Sequence, residues 1–260
     1  MIFDTHTHYD DEQFDEDREE LLLSLKEQGV GAVVGIGATM QGAKDNVALA
    51  KKYPFVFAAV GIHPDHAKDL NEEEFAVLKA LAAEERVVAI GEIGLDYYWD
   101  STERSEQKYW FERQLKLAAE LDYPVVIHSR EAAADTMEIM KRAYEDSGHR
   151  LKGVIHCFSY SAQQAMEYIN MGFFIGIGGV ATFKNGRKLK EVLEAIPLES
   201  IVLETDCPYL APEPFRGKRN SSEKLSYVVK AIAEIKGVPE AEVERVTWDN
   251  AMRLYPRVAL

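Results

Sequence analysis

Short β-branched and aromatic runs alternate with longer charged, amphipathic stretches along the chain. The runs fall at residues 2–4, 32–36, 55–62, 87–93, 124–128, 152–157, 173–177 and 201–204. Most are apolar nearly end to end, the pattern of parallel strands covered on both faces. The stretches between them carry helical periodicity. Residues 15–28 put Leu21, Leu22 and Leu25 on one side and stop at Gly29, and residues 106–121 set Phe111, Leu115 and Ala118 at helical spacing. Residues 132–145, 161–171, 187–195 and 223–236 read the same way. Successive strands start roughly 20 to 40 residues apart, the length of a βα unit. Eight such units predict an α/β fold, a TIM-like (β/α)8 barrel forming a single domain over residues 1–260. Texture alone also suits an open doubly wound sheet. However, no Gly-x-Gly-x-x-Gly follows the first run and no Walker-type loop occurs, which counts against nucleotide-binding α/β folds.

Composition changes this picture little. Apolar residues make up 47% and charged residues 28%, as in ordinary globular domains, and no low-complexity tract argues for disorder. The first residues lack a basic segment followed by an apolar one, and no apolar run approaches the roughly 20 residues that span a bilayer. Cys157 and Cys207 form no Cys-x-x-Cys pair. These features predict a cytoplasmic protein with no membrane partner and no disulfide framework. The net charge of −14 argues against broad attraction to polyanions and still permits a local basic site.

The candidate chemistry sits at the strand ends. Five of the seven histidines, His6, His8, His63, His128 and His156, lie at or just past the C-terminal end of a strand run, and so do Glu92, Asp96, Glu204 and Asp206. In a barrel these ends share one mouth. Parity agrees: His6 with His8 and Asp4 beneath them, Glu92 with Asp96, His128 with Arg130, and Glu204 with Asp206. Singly, each reads as scaffolding or a turn residue. Gathered together, so many buried imidazoles and carboxylates need compensation by cations. Two ions fit the donor count: His6, His8 and a carboxylate for one, His128 and His156 for the other, with Glu92 the best bridge. Such a pair, about 3.5 to 4 Å apart, activates water and polarises a substrate oxygen. Asp206 can then ligate and take a proton, and His63 can meet the substrate or leaving group.

At these residues the chain resembles the TatD family of metal-dependent hydrolases, among the amidohydrolase-like barrels. The blocks run in order: Asp4-Thr5-His6-Thr7-His8, Gly61-Ile62-His63-Pro64, Gly91-Glu92-Ile93-Gly94-Leu95-Asp96, His128-Ser129-Arg130, His156-Cys157-Phe158, Glu204-Thr205-Asp206-Cys207-Pro208-Tyr209-Leu210 and Arg216-Gly217-Lys218-Arg219-Asn220. A His-x-His alone is weak; seven ordered blocks are specific. The resemblance implies a deoxyribonuclease, a 3′→5′ exonuclease on DNA and especially single-stranded DNA, that cleaves phosphodiesters with two-metal-activated water. It implies a first ion on His6, His8, Glu92 and Asp206, and a second on Glu92, His128 and His156. His63 and Glu204 become substrate-side or supporting catalytic residues beside Asp206. Two divalent ions per subunit are implied, with magnesium or manganese for activity. Imidazole donors favour zinc or another transition metal in the isolated protein. Where the family often has Asn-Glu-Pro after the basic loop, Asn220 here precedes Ser221-Ser222, and Asn220 with Glu223 is expected to cap the next helix.

The flanking loops suit a phosphodiester. Arg216, Lys218 and Arg219, with Asn220, follow the eighth run, and Lys184, Arg187 and Lys188 follow the seventh, where barrels often bind phosphate. Arg130 is a further substrate-binding candidate. Tyr97, Tyr98, Trp99 and Phe158 lie near the same rim and can stack on bases. The cysteines read as small core residues. Two other readings stand beside the nuclease. One is a D-aminoacyl-tRNA deacylase or a small-ester or amide hydrolase with nearly the same ligands; tRNA needs the basic rim and a small ester does not. The other is an inert metal or nucleic-acid binder.

Overall fold

The computed structural model describes residues 1–99 and 101–260. Eight strands hydrogen-bond in the order of the chain: β1 (Ile2–Thr7), β2 (Val30–Ile36), β3 (Val56–Val60), β4 (Val87–Asp96), β5 (Val125–Arg130), β6 (Gly153–Ile155), β7 (Phe174–Ile177) and β8 (Ile201–Leu203). Every pairing described is parallel. The helices are α1 (Arg18–Ser24), α2 (Met40–Lys52), α3 (Glu72–Ala82), α4 (Arg104–Leu121), α5 (Ala133–Asp146), α6 (Ala162–Asn170), α7 (Arg187–Ala195), α8 (Leu225–Lys236) and α9 (Glu240–Leu254). Among the described residues, no helix is long and apolar enough to cross a membrane.

The chain gathers into two compact units. The first comprises Met1–Gly35 and Cys157–Leu254, with Leu260. It is assembled from both ends of the sequence. Here α9 lies against β1 and β8: Trp248 packs on Phe3 with ring centroids 5.6 Å apart, and the buried Asn250 amide donates to the Leu198 and Ile201 carbonyls. The second comprises Ile36–His156 and Tyr255–Ala259. Its centre is β4, whose ten residues are all buried, flanked by the apolar β3 and the apolar first half of β5, residues 125–127. Burial on both sides of the sheet explains why these strands read as apolar runs rather than alternating ones.

Local signals set the helix ends. Thr39, Asn71 and Ser161 cap α2, α3 and α6 with their side chains, and Ser161 forms a full capping box with Gln164. Helix α1 is shorter than the leucine spacing predicts, because turns replace helix at both ends of residues 15–28.

Candidate metal centre

In the first unit, backbone pairing brings the donors together. Asp206 N–H donates to the His6 carbonyl at 3.0 Å, and His8 N–H donates to the Cys207 carbonyl at 2.9 Å. This stitch places three side chains head to head. His6 Nε2 lies 3.1 Å from His8 Nε2, 3.6 Å from Asp206 Oδ1, and His8 Nε2 lies 3.3 Å from that same oxygen. Donors each about 2.1 Å from a cation stand about 3.0 to 3.4 Å apart. The triangle therefore has the edges of a coordination shell, and two imidazole nitrogens with a carboxylate are chemically right for a divalent ion. Asp206 holds a left-handed backbone, φ 56°, one of the few side-chain types that tolerate it. That is strain kept at a donor.

Asp4 does not join the donors. Its fully buried carboxylate accepts from the Thr205 backbone at 3.0 Å, the Thr205 hydroxyl at 2.6 Å and the Ser222 hydroxyl at 2.7 Å. Burial nevertheless pushes its carboxyl up to about 7. It is a brace between β1, the strand-eight end and the loop before α8. Ser222 also bonds the buried Tyr9 hydroxyl, so this loop is anchored without the Glu-Pro usual in the family. Glu204 is buried with Oε1 accepting the Cys157 N–H at 2.6 Å. Gly176 is required beside it, since a Cβ there would stand 2.2 Å from the Glu204 carboxylate. A cavity of about 50 Å³ opens along Cys157, Phe158, Glu204 and Asp206. Cys157 is therefore a half-buried lining residue, not the core residue its parity predicts; Cys207 is fully buried as expected.

In the second unit three imidazoles face one carboxylate oxygen. Glu92 Oε1 lies 2.8 Å from His128 Nδ1, 3.8 Å from His156 Nε2 and 4.0 Å from His63 Nε2. Asp96, beyond Glu92 on β4, meets the other ring nitrogen of His128: Nε2 lies 3.0 Å from Oδ2. Burial alone would lower the His128 pKa, but the hydrogen bonds to Asp96 and Glu92 outweigh it and carry it up to about 9. His63 goes the other way. Burial, then the neighbouring His128, pushes it down to about 3, so it is neutral at physiological pH. Its Nδ1 accepts the Asp65 N–H, which places the ring proton on Nε2. Gly94, φ +149°, lets β4 touch β5 next to His128; a Cβ there would lie 1.9 Å from the His128 carbonyl oxygen.

Two buried glutamines on α4 complete this unit, and nothing in the periodicity singles them out. Gln114 accepts from the Ile62 N–H and donates to the Ile62 carbonyl, fixing the turn that carries His63. Gln107 does the same for Asp96. Their only sequence signal is an amide at i and i+7 on the apolar face of a helix.

The basic candidates divide. Lys184, Arg216 and Lys218 are exposed, and the Arg216 guanidinium lies 4.5 Å from the centre of the Phe183 ring, joining the two loops. Arg219 is held in a bidentate pair with Asp17 and donates to the Gln13 carbonyl. Arg187 is exposed and paired with Glu191. Arg130 stacks on Tyr98 at 3.9 Å. Asn220 is buried, donating to the Thr205 carbonyl and accepting from the Ser221 N–H; Ser221, not Asn220, precedes the turn before α8. Asn220→Ala should cost about 2 kcal/mol through unsatisfied buried groups. Thermal melting should then show a Tm about 4 to 8 °C lower; an unchanged Tm would remove the clamp.

The TatD related DNase family model matches residues 3–256. The chain belongs to the TatD family. This TatD chain is 42% identical over 255 residues to the metal-dependent hydrolase YabD of Bacillus subtilis, covering 98% of this chain and 99% of that one. It is 36% identical over 261 residues to the 3′-5′ ssDNA/RNA exonuclease TatD of Cronobacter sakazakii, covering 98% and 97%. The crystal structure of YjjV, a TatD homologue from Escherichia coli, matches with a TM-score of 0.91 at 32% identity over 98% of each chain. The eight parallel strands of the TatD chain are thus those of a TIM-like barrel, as the βα rhythm predicts, and the chain is a metal-dependent hydrolase acting on ester bonds.

Proposed function

We propose that the chain is a 3′→5′ exonuclease on single-stranded nucleic acid, DNA in the first instance, using two divalent ions. The observation that carries this reading is the His6–His8–Asp206 triangle, whose edges suit an ion. His6, His8, Asp206 and Glu92 hold the first ion; Glu92, His128 and His156 hold the second. Divalent ions there supply Lewis-acid activation of water and neutralise charge at a scissile phosphate. Manganese, magnesium or a transition metal such as zinc suits this mixed donor set.

The chain's own groups do the rest. Asp206 takes the proton of the attacking water in this reading. The neutral His63 offers its Nε2–H to a phosphate or leaving-group oxygen, and it does not compete as a cation. Glu204, held by the Cys157 N–H, faces the cavity beside Asp206 as a supporting group. Arg216 and Lys218, both exposed, with Lys184 across the loop contact, give a basic rim for the strand's phosphates. Arg219 and Asn220 hold that rim in shape.

The test is release of nucleotides from 3′- and 5′-labelled single-stranded DNA with manganese or magnesium. Loss of the 3′ label first is expected; loss of the 5′ label first overturns the polarity. Charge reversal at Arg216 and Lys218 together should raise KM at least about 10-fold and flatten the salt dependence, because each phosphate contact adds to the slope. A double variant with full nuclease activity and unchanged salt dependence moves the activity to a small ester, which needs no such rim.

A further inference from the structure

The Asp96 carboxylate is shared between the backbone of Tyr98 and Trp99 and the ring of His128. Oδ1 accepts the backbone N–H of Tyr98 at 2.8 Å and of Trp99 at 3.1 Å. Oδ2 faces His128 Nε2 at 3.0 Å. The backbone of Asp96 is itself gripped from both sides by Gln107, and the residue is 1% exposed. The carboxylate therefore has no freedom to turn. With two backbone donors on Oδ1, the group is fixed as an acceptor, and the only ring nitrogen that can satisfy Oδ2 is one bearing hydrogen.

We propose that Asp96 is a positioning residue that reserves Nδ1 of His128 for the metal. The argument rests on the metal-centre reading above. Both ring nitrogens face carboxylates, and Asp96 keeps its hydrogen on Nε2, so the hydrogen that an ion displaces to gain a lone pair is the one on Nδ1. That atom is the one directed at Glu92, 2.8 Å from Oε1. A ligating imidazole whose second nitrogen is held by a carboxylate has both its tautomer and its ring plane determined. Because the partner oxygen anchors Tyr98 and Trp99, the same carboxylate ties the aromatic rim to the ring that meets the ion. Tyr98 and Trp99 are about half exposed, and Arg130 stacks on Tyr98, so this rim is where a base next to the scissile phosphate would lie.

Asp96→Asn separates this role from simple bracing. The amide oxygen keeps the two backbone hydrogen bonds, so the rim stays in place. The amide nitrogen then faces Nε2 and donates to it, which moves the ring hydrogen to Nδ1 and blocks the ligand atom. Calorimetric titration of metal-free protein with Mn2+ should show two sites in the unaltered chain. In the variant the second should be about 10- to 100-fold weaker, with the first unchanged and the metal-free Tm preserved. Imidazole 15N spectra of the Zn2+-loaded, unaltered chain should show His128 Nε2 protonated and Nδ1 bound. A spectrum with Nε2 bound overturns the inference, whether or not the variant folds. A folded variant that takes both ions with full affinity overturns it equally. An unaltered chain that takes only one Mn2+ brings down the two-ion reading first, and this inference with it.

Discussion

Glu92→Ala should abolish hydrolysis of single-stranded DNA while the protein stays folded. Glu92 Oε1 is the oxygen on which His128, His156 and His63 converge. Its loss leaves those imidazoles without their shared acceptor and removes the carboxylate assigned to both ions. A bridging carboxylate that organises Lewis-acid catalysis is worth several kcal/mol of transition-state stabilisation. At about 4 kcal/mol the rate falls roughly 1,000-fold. The fold should survive, because alanine removes a buried acid from a strand whose other residues, Asp96 apart, are apolar or glycine. Rate assays with labelled DNA, paired with circular dichroism, decide the matter. A variant retaining a tenth or more of the activity is incompatible with the bridging role.

Stripping the ions should act on stability as well as rate. A metal that binds only the folded chain, present at about 100 times its dissociation constant, contributes about 2.7 kcal/mol. For a chain of this size that corresponds to a Tm lower by about 5 to 10 °C after chelation. Activity should vanish in the same step, and manganese should restore both. The physical source is electrostatic: without cations, His6, His8 and Asp206 hold their polar atoms 3.1 to 3.6 Å apart. Differential scanning fluorimetry with and without chelator reads the shift. A Tm indifferent to both chelator and manganese would falsify the idea that these side chains form an ion site.

Much of this was legible in the residues because the fold concentrates chemistry where strands end. The rhythm of apolar runs predicts the barrel, and the runs predict β3, β5 and β8 to within a residue or two at most ends. Parity correctly joins Glu92 to Asp96, since both meet His128. It fails for Cys157, whose left-handed backbone, φ 44°, turns it off the strand's alternation. Parity also reports direction and never distance: it sets Asp4 beneath His6 and His8, and only the structure shows its carboxylate holding Thr205 and Ser222. The basic loop misleads for a related reason. A sequence shows Arg216, Lys218 and Arg219 as equals, and only the partner Asp17, about 200 residues away, marks Arg219 as a tie. Gln107 and Gln114 are invisible to periodicity because a clamp on backbone atoms leaves no pattern in the side chains it holds. Helices α2, α3 and α9 also bury residues at helical spacing, Ala43, Val47 and Ala50, then Phe75, Leu78 and Ala82, then Val243, Val246 and Ala251, and the reading by apolar runs passes over them.

The first unit's make-up also governs when ions can be captured. His6 and His8 leave the ribosome early, whereas the Asp206 carboxylate that closes their triangle is about 200 residues behind. At roughly 5 to 20 residues per second, synthesis keeps those imidazoles waiting for roughly 10 to 40 s. During that interval two neutral nitrogens on a short peptide have little grip on a cation. Loading therefore belongs to the finished polypeptide, which meets the bulk ion pool of its compartment rather than whatever happens to lie near the exit tunnel.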